Sequence, residues 1–159
     1  MTKITVITVG TLKEDYLQKA VEEYEKRLNS YVRMENVNIR EERISDEDNR
    51  REIDSALEAE GEKILAKIPK DSYKISLCVE GRMYDSSSLS EKIKSVSDKY
   101  GKITLIIGSS YGLSDRVKKA CDLCLSVSKM TFPHQLMRVI LLESLYRSFT
   151  IIANKRYHK

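Results

Sequence analysis

The sequence predicts an α/β fold with a mainly parallel sheet and helices on both faces. Short runs of apolar and β-branched residues alternate from end to end with longer stretches whose apolar residues recur at helical spacing. One run, Ile103 to Ile107, is apolar throughout, as expected for a parallel strand that is covered on both faces. The crossover rule makes the connections between such strands right-handed.

The chain opens with a strand and an amphipathic helix. Lys3 to Val9 is rich in β-branched residues and is followed by Gly10, which ends the strand. The helix is marked by apolar residues at helical spacing, namely Leu17, Ala20, Val21, Tyr24, Leu28 and Tyr31. Val37 to Ile39 is a candidate for a short second strand.

A second helix follows. Ser45 and Asp48 resemble a capping box at its start. Its apolar residues recur from Ile53 to Ile68, and Pro69 ends it.

The middle of the chain continues the alternation. Lys74 to Val79 is a predicted strand that leads into a turn at Gly81. A helix from Leu89 to Tyr100 is stopped by Gly101, and the apolar strand described above comes next. The loop after that strand, Gly108 to Gly112, is built of small residues.

The last elements are a short helix capped by Ser114, a strand from Leu123 to Val127 and the most apolar helix of the chain. We predict that Thr131 caps this final helix and that Pro133 lies in its first turn. Its buried face is formed by Leu136, Val139, Ile140, Leu142, Leu145, Phe149 and Ile152.

Ionisable side chains interrupt the final helix close to its start. His134 and Arg138 are four residues apart, as are Glu143 and Arg147, and such pairs share a helix face. Ligands of open α/β sheets bind at the carboxyl ends of the strands, where this helix begins. This region is therefore a candidate site.

Length and composition fit one domain, residues 1–159, with 41% hydrophobic and 33% charged residues. No apolar run approaches the roughly 20 residues of a membrane helix, and the apolar run at the N-terminus is too short for a signal peptide. We therefore expect a cytoplasmic protein that does not engage a membrane.

The positive charge is concentrated at the end of the chain. The formal net charge is +4, and residues 129–159 hold six lysines or arginines against one acid, Glu143. A phosphate backbone is the usual partner of such a cluster, although a solvated basic tail has the same composition.

Three cysteines do not by themselves indicate a metal or redox site. Cys78 lies in a predicted strand, and Cys121 and Cys124 form one Cys-x-x-Cys pair. One pair cannot complete a tetrahedral zinc site, and no second pair accompanies it. A redox pair should open a helix rather than enter a strand. Reduced core cysteines are thus the favoured interpretation, and no metal is expected.

The phosphate-binding loops of common nucleotide-binding proteins are absent. Gly10 stands alone after the first strand, and neither Gly-x-Gly-x-x-Gly nor a Walker motif occurs. The loop from Gly108 to Gly112 is different, because its small residues let the backbone come close to a ligand.

Several segments of the chain form one recognisable pattern: Ile107-Gly-Ser-Ser-Tyr-Gly-Leu113, Leu125-Ser-Val-Ser-Lys-Met-Thr-Phe-Pro-His-Gln135, Arg138, Glu143-Ser-Leu-Tyr-Arg147 and the ending Tyr157-His158-Lys159. Together these segments resemble the ribosomal large-subunit RNA methyltransferase H family, whose members are small SPOUT-class enzymes. The resemblance covers essentially the whole chain and is weakest between about Val37 and Lys70.

The resemblance implies more than periodicity can. It implies that the C-terminal segment passes through a trefoil knot, and that two copies form a homodimer with each site near the subunit interface. It implies S-adenosylmethionine as the cofactor. The implied product is N3-methylpseudouridine in the 23S RNA of the large ribosomal subunit.

The resemblance also assigns residues. The positions that match its cofactor site are Leu77, Gly108, Val127, Ser128, Lys129, Met130, Thr131 and Phe132. The positions that would face the RNA are His134, Arg138, Tyr157 and His158. Relatives usually have two glycines where this chain has Gly108-Ser109. If the second position required positive φ, Ser109 would be strained.

The reaction needs a proton acceptor, because the N3 of a uracil-like ring is a weakly acidic imide. His158 is one candidate base and His134 its competitor, since a histidine pKa lies near neutrality. Arg138 could stabilise charge on the base or bind a phosphate. Structural roles remain open for each of them: a capping histidine, an ion pair for the arginine and a frayed tail. Another RNA target and a non-catalytic RNA-binding module also remain open as functions.

Overall fold

The computed structural model of the chain describes residues 1–157. The strands are β1 (Lys3–Val9), β2 (Arg33–Ile39), β3 (Tyr73–Met83), β4 (Lys102–Ile107) and β5 (Leu123–Ser126). The helices are α1 (Asp15–Leu28), α2 (Arg50–Lys67), α3 (Ser86–Tyr100), α4 (Asp115–Ala120) and α5 (His134–Ile152). The strands form one sheet in the order β2-β1-β4-β3-β5, and each pairing is parallel. The predicted alternation and the parallel sheet are confirmed.

The sheet separates two apolar clusters, one on each face, because successive side chains of a strand point to opposite faces. Ile4 and Val6 of β1 pack on the side of α1, α3 and α5, whereas Ile7 and Val9 pack on the side of α2 and α4. Ile106 of β4 is fully buried in the second cluster. Helices therefore cover both faces, as predicted.

Two strands are longer than the sequence pattern predicted. β2 spans seven residues rather than three, because its polar residues lie along the edge strand of the sheet. β3 continues past Gly81, so that the predicted turn there is wrong. The pairing of β3 with β5 shifts register between Leu77 and Arg82. A Cβ at Gly81 would lie 2.5 Å from the carbonyl oxygen of Cys124, so this glycine marks a close approach of two backbones.

The predicted capping box at the start of α2 is also wrong. The N-cap is Asn49, whose side chain accepts a hydrogen bond from the backbone N–H of Glu52. The carboxylate of Glu52 turns back and accepts from the Ser45 hydroxyl at 2.6 Å. Ser45 thus closes the loop before the helix instead of capping it.

The final helix begins later than predicted. α5 starts at His134, and Pro133 occupies the N-cap position without a capping side chain, so Thr131 does not cap it. β5 ends at Ser126, one residue early, because its hydroxyl donates to the carbonyl of Ser128 at 3.0 Å and turns the chain out of the sheet. Residues 127–133 form the connecting loop.

Strand order and pairing do not describe how a chain passes through its own loops. The trefoil knot implied by the family resemblance therefore stays a prediction. The fold does bring the loops after β4 and β5 to the same edge of the sheet as the end of β1, as the parallel pairing requires.

Candidate active site

A cavity of about 410 Å³ opens at the carboxyl ends of β4 and β5, beside the irregular part of β3. Its volume lies within the range of small-molecule sites, roughly 300–1,000 Å³. Three stretches of chain line it: residues 77–80, residues 107–113 with Lys118, and residues 125–128 and 130–134 with Met137. Parts far apart in the sequence thus share one concave site.

Most of the residues expected to hold a cofactor lie together here. Those that line the cavity are Leu77, Gly108, Val127, Ser128, Met130, Thr131 and Phe132. Lys129 is exposed and lies outside the lining. The hydroxyl of Ser128 accepts a hydrogen bond from the backbone N–H of Met130 at 3.0 Å, which fixes the turn of this loop.

The loop after β4 needs glycine at one position. A Cβ on Gly108 would lie 2.6 Å from the carbonyl carbon of Gly112 and closer still to its oxygen. The positive φ of the loop belongs to Gly112, whose N–H donates to the carbonyl of Ser109 at 2.9 Å. Ser109 itself is not among the residues with positive φ, so that no strain results from the serine.

Glu60 lies beside Ser109 of this loop and was not among the predicted site residues. Its side chain lies on α2, is 3% exposed and accepts a hydrogen bond from the backbone N–H of Glu42 at 2.9 Å. Burial raises the pKa of the Glu60 carboxyl, and the hydrogen bonds from the Glu42 backbone and, more weakly, from the Ser109 hydroxyl oppose that shift. The signal was present in the sequence, because Glu60 falls on the apolar face between Ile53 and Ile64.

His134 is half-buried where α5 meets the cavity. Burial lowers the pKa of its imidazole, the charge of Arg138 lowers it further, and Glu41 acts in the opposite direction. The ring is therefore mainly neutral near pH 7 and able to accept a proton.

Arg138 lies one turn further along α5 but does not line this cavity. Its side chain is 8% exposed, and its Nη2 donates to the carbonyl oxygens of Val9 at 3.0 Å and Gly10 at 2.6 Å. Its Nε is buried without a hydrogen-bond partner among the described residues. Arg138 thus joins α5 to the end of β1, and it places a positive charge beneath His134.

Tyr157 lies against the second half of α5. Its hydroxyl donates to Oε2 of Glu143 at 3.0 Å, and its ring packs edge-on against Tyr146 with centroids 4.8 Å apart. Burial, then the Glu143 carboxylate, raises the pKa of its phenol. Glu143 follows His134 by nine residues, about 14 Å of helix. Tyr157 is therefore not at the cavity of its own chain, and His158 lies outside the described residues.

Two charged side chains line the cavity on elements other than α5. The ammonium of Lys118 on α4 lies 2.6 Å from the carboxylate of Glu80 on β3. The hydrogen bond lowers the pKa of Glu80 and raises that of Lys118. No sequence pattern indicates this pair, since the residues are 38 positions apart.

Comparison with known proteins decides the family. The family model described as "Predicted SPOUT methyltransferase" matches residues 2–158. Ribosomal RNA large subunit methyltransferase H of Shouchella clausii is 44% identical over 158 residues, which cover 98% of this chain and 99% of that protein. The chain belongs to the methyltransferase H family of SPOUT methyltransferases. The protein of the same name from Streptococcus agalactiae is 43% identical over 159 residues, with 99% of each chain covered.

Solved structures share the fold of this methyltransferase. A "Probable Methyltransferase" from Bordetella pertussis has a TM-score of 0.57 at 12% identity and covers 93% of this chain and 96% of its own. A "probable methylase family protein" from Haemophilus influenzae has a TM-score of 0.55 at 16% identity. The match covers 98% of this chain and 70% of that protein. At such identities the likeness speaks for the fold alone. The family itself implies an enzyme that uses a methyl donor.

The cysteines of this methyltransferase are free thiols next to β3. Burial raises the pKa of Cys78 to about 11 and that of Cys121 to about 11, so these thiols stay protonated near neutral pH. Residues 1–157 contain no group of three His, Cys, Asp or Glu side chains arranged to hold a metal ion. None of the helices in that range is long and apolar enough to cross a membrane.

Proposed function

We propose that residues 1–159 act as one SPOUT methyltransferase domain that transfers a methyl group from S-adenosylmethionine to N3 of a pseudouridine in 23S ribosomal RNA. The observation that carries the proposal is the end-to-end similarity to ribosomal RNA large subunit methyltransferases H, with 98–99% of each chain covered. The target is part of the large ribosomal subunit, so the protein works in the cytoplasm.

The cavity suits this cofactor. It is lined mostly by apolar and small groups, and the glycine at position 108 lets the loop that lines it pack closely against the carbonyl of Gly112. The residues that would hold the cofactor are Leu77, Gly108, Val127, Ser128, Met130, Thr131 and Phe132. Lys129 points to the exposed side and is better suited to an RNA phosphate. When bound, S-adenosylmethionine supplies an electrophilic methyl group on a sulfonium.

His134 accepts the imide proton of the target base in this proposal. It lines the cavity, and its lowered pKa keeps the ring neutral and ready to take a proton. Arg138 holds the end of β1 against α5 through the carbonyls of Val9 and Gly10. Its charge, which contributes to the lowered pKa of His134, also favours an anionic ring nearby.

The tail acts in the site of a partner subunit. Leu136, Val139 and Ile140 were predicted to lie on the buried face of α5, but they form a half-buried apolar stripe on its outer face. A two-fold contact along this stripe, with the two α5 helices antiparallel, would bury it. It would also bring Glu143 of one α5, with Tyr157 bound to it, near the start of the other. His158 is then the second candidate base of a composite site.

Calorimetry with S-adenosylmethionine and a methylation assay on large ribosomal subunits that lack this modification test the proposal. We expect binding of the cofactor and one methyl group per subunit, mapped by mass spectrometry to N3 of a pseudouridine. Methylation of a different RNA would refute the target and keep the enzyme class. Salt-dependent RNA binding without methyl transfer would refute both the proposed target and the proposed enzyme class.

A further inference from the structure

The mouth of the cavity carries one pair of opposite charges. Lys118 and Glu80 are 2.6 Å apart and both line the cavity, and the other lining residues that the structure describes are apolar, hydroxylic, thiol or neutral histidine. The Lys118 side chain is 27% exposed and that of Glu80 is 63% exposed. The ammonium is therefore the more enclosed member of the pair.

We infer, on the basis of the proposed function, that this pair recognises the amino-acid end of S-adenosylmethionine. Lys118 takes the α-carboxylate, and Glu80 takes the α-ammonium. The two side chains thereby become specificity-determining residues that read the zwitterion rather than the nucleoside.

A zwitterion fits the pair better than the other polar part of the cofactor does. A ribose diol would bind only the carboxylate of Glu80 and would leave the ammonium of Lys118 without a contact to the ligand. A ligand with both charges gives each side chain a new counter-ion as the old contact opens. The exchange of one ion pair for two keeps every charge compensated.

The two side chains stand on backbone that the fold holds in place. Glu80 lies in the irregular stretch of β3 next to Gly81, whose backbone closely approaches that of β5. Lys118 follows the buried Val117 on α4, and the hydroxyl of Ser114 accepts a hydrogen bond from the Val117 N–H at 3.3 Å. Such support on both sides is expected of a recognition pair.

Two probes separate this contact from the rest of the cofactor. S-adenosylhomocysteine keeps the amino-acid end, whereas 5′-methylthioadenosine lacks it and keeps the nucleoside. We expect Glu80→Gln and Lys118→Met each to raise the Kd of S-adenosylhomocysteine about tenfold in calorimetry, in line with the loss of a charge-assisted hydrogen bond. The Kd of 5′-methylthioadenosine should change less than about twofold.

The ion pair between Lys94 and Asp98 on α3 is the matched control, because its 2.6 Å contact is exposed and remote from the cavity. Lys94→Met should leave both Kd values unchanged. If both probes lost affinity equally, the pair would act on the nucleoside or on the shape of the cavity. If neither probe lost affinity, Lys118 and Glu80 would form a surface ion pair only. Each result overturns the inference. If neither probe binds the unaltered protein, the proposed function fails first and the inference fails with it.

Discussion

The hydroxyl of Tyr157 donates to one carboxylate oxygen of Glu143, at 3.0 Å, while the other oxygen lies 2.6 Å from Nη2 of Arg147. Glu143 therefore joins the end of the chain to the middle of α5. The aromatic ring is held as well, by Tyr146 on one side and the Arg147 guanidinium 5.0 Å from its centroid. Tyr157 is thus held at a defined place on the helix.

Removal of the Tyr157 hydroxyl should separate binding from turnover. Tyr157→Phe loses one partly buried hydrogen bond, which costs about 1 kcal/mol of the free energy of unfolding. We expect unchanged affinity for S-adenosylhomocysteine and at least a tenfold lower kcat, about 1.4 kcal/mol, in ribosome methylation. Calorimetry and a tritium-transfer assay measure the two quantities. Full turnover by this variant would show that the hydroxyl has no part in presenting the tail.

A charge on the outer face of α5 should dissociate the proposed dimer. Ile140 is half-buried in the single chain, and Ile140→Glu would place a carboxylate in the centre of the proposed interface. We expect a monomer in sedimentation velocity and loss of methylation, with the fold retained. Lys94→Glu on α3 serves as the control for added negative charge. A dimer that persists in Ile140→Glu would place the interface elsewhere.

An added methyl group should close the loop after β4. In Gly108→Ala the new Cβ would lie 2.6 Å from the carbonyl carbon of Gly112, so the backbone must move into the cavity. We expect a loss of about 1–3 kcal/mol in the free energy of unfolding and at least a tenfold higher Kd for S-adenosylhomocysteine. Gly101→Ala is the control, because its φ of +65° makes alanine unfavourable while nothing lies within 4 Å. It should lose stability and keep its affinity, and similar affinities of the two variants would contradict the prediction.

The stability of the protein should depend on pH through His134. Burial lowers its pKa in the folded chain below the value of about 6.5 in an unfolded one. The neutral ring therefore contributes fully above about pH 6.5, and this contribution is lost as the pH falls through the folded pKa. Urea unfolding at pH 7.5 and 5.5 should show a smaller loss in His134→Gln than in the parent.

Both proteins for this comparison carry His158→Gln, so that His134 is the histidine that distinguishes them; the chain has two. If the free energy of unfolding changed equally with pH in the two proteins, the imidazole of His134 would not be desolvated at the cavity. A methylation assay over the same pH range shows whether the protonation of His134 that affects stability also changes the rate of methyl transfer.

The sequence predicted elements well where local chemistry decides them. β1 was placed to the residue, because a β-branched run ends at Gly10, whose φ is +80°. The end of α3 was predicted for a similar reason, since Gly101 adopts the left-handed conformation that stops a helix.

Prediction failed where a distant segment decides the structure. Gly81 on its own indicates a turn. In the structure β3 continues past it because β5, more than 40 residues later in the sequence, pairs with this part of β3. Ser45 and Asn49 are both residues that commonly cap helices. Asn49 is the cap here, because the Ser45 hydroxyl is bound by the carboxylate of Glu52. For the same reason no pattern could join Glu80 to Lys118, whereas Glu60 was marked by its place on an apolar helix face.

The order in which the walls of the cavity occur along the chain bears on synthesis. The first wall is made by residues 77–80 and the last by residues 125–137. At about 5–20 residues per second, translation needs several seconds to pass from the first wall to the last. A nascent chain therefore offers no complete pocket until residues 125–137 have been made.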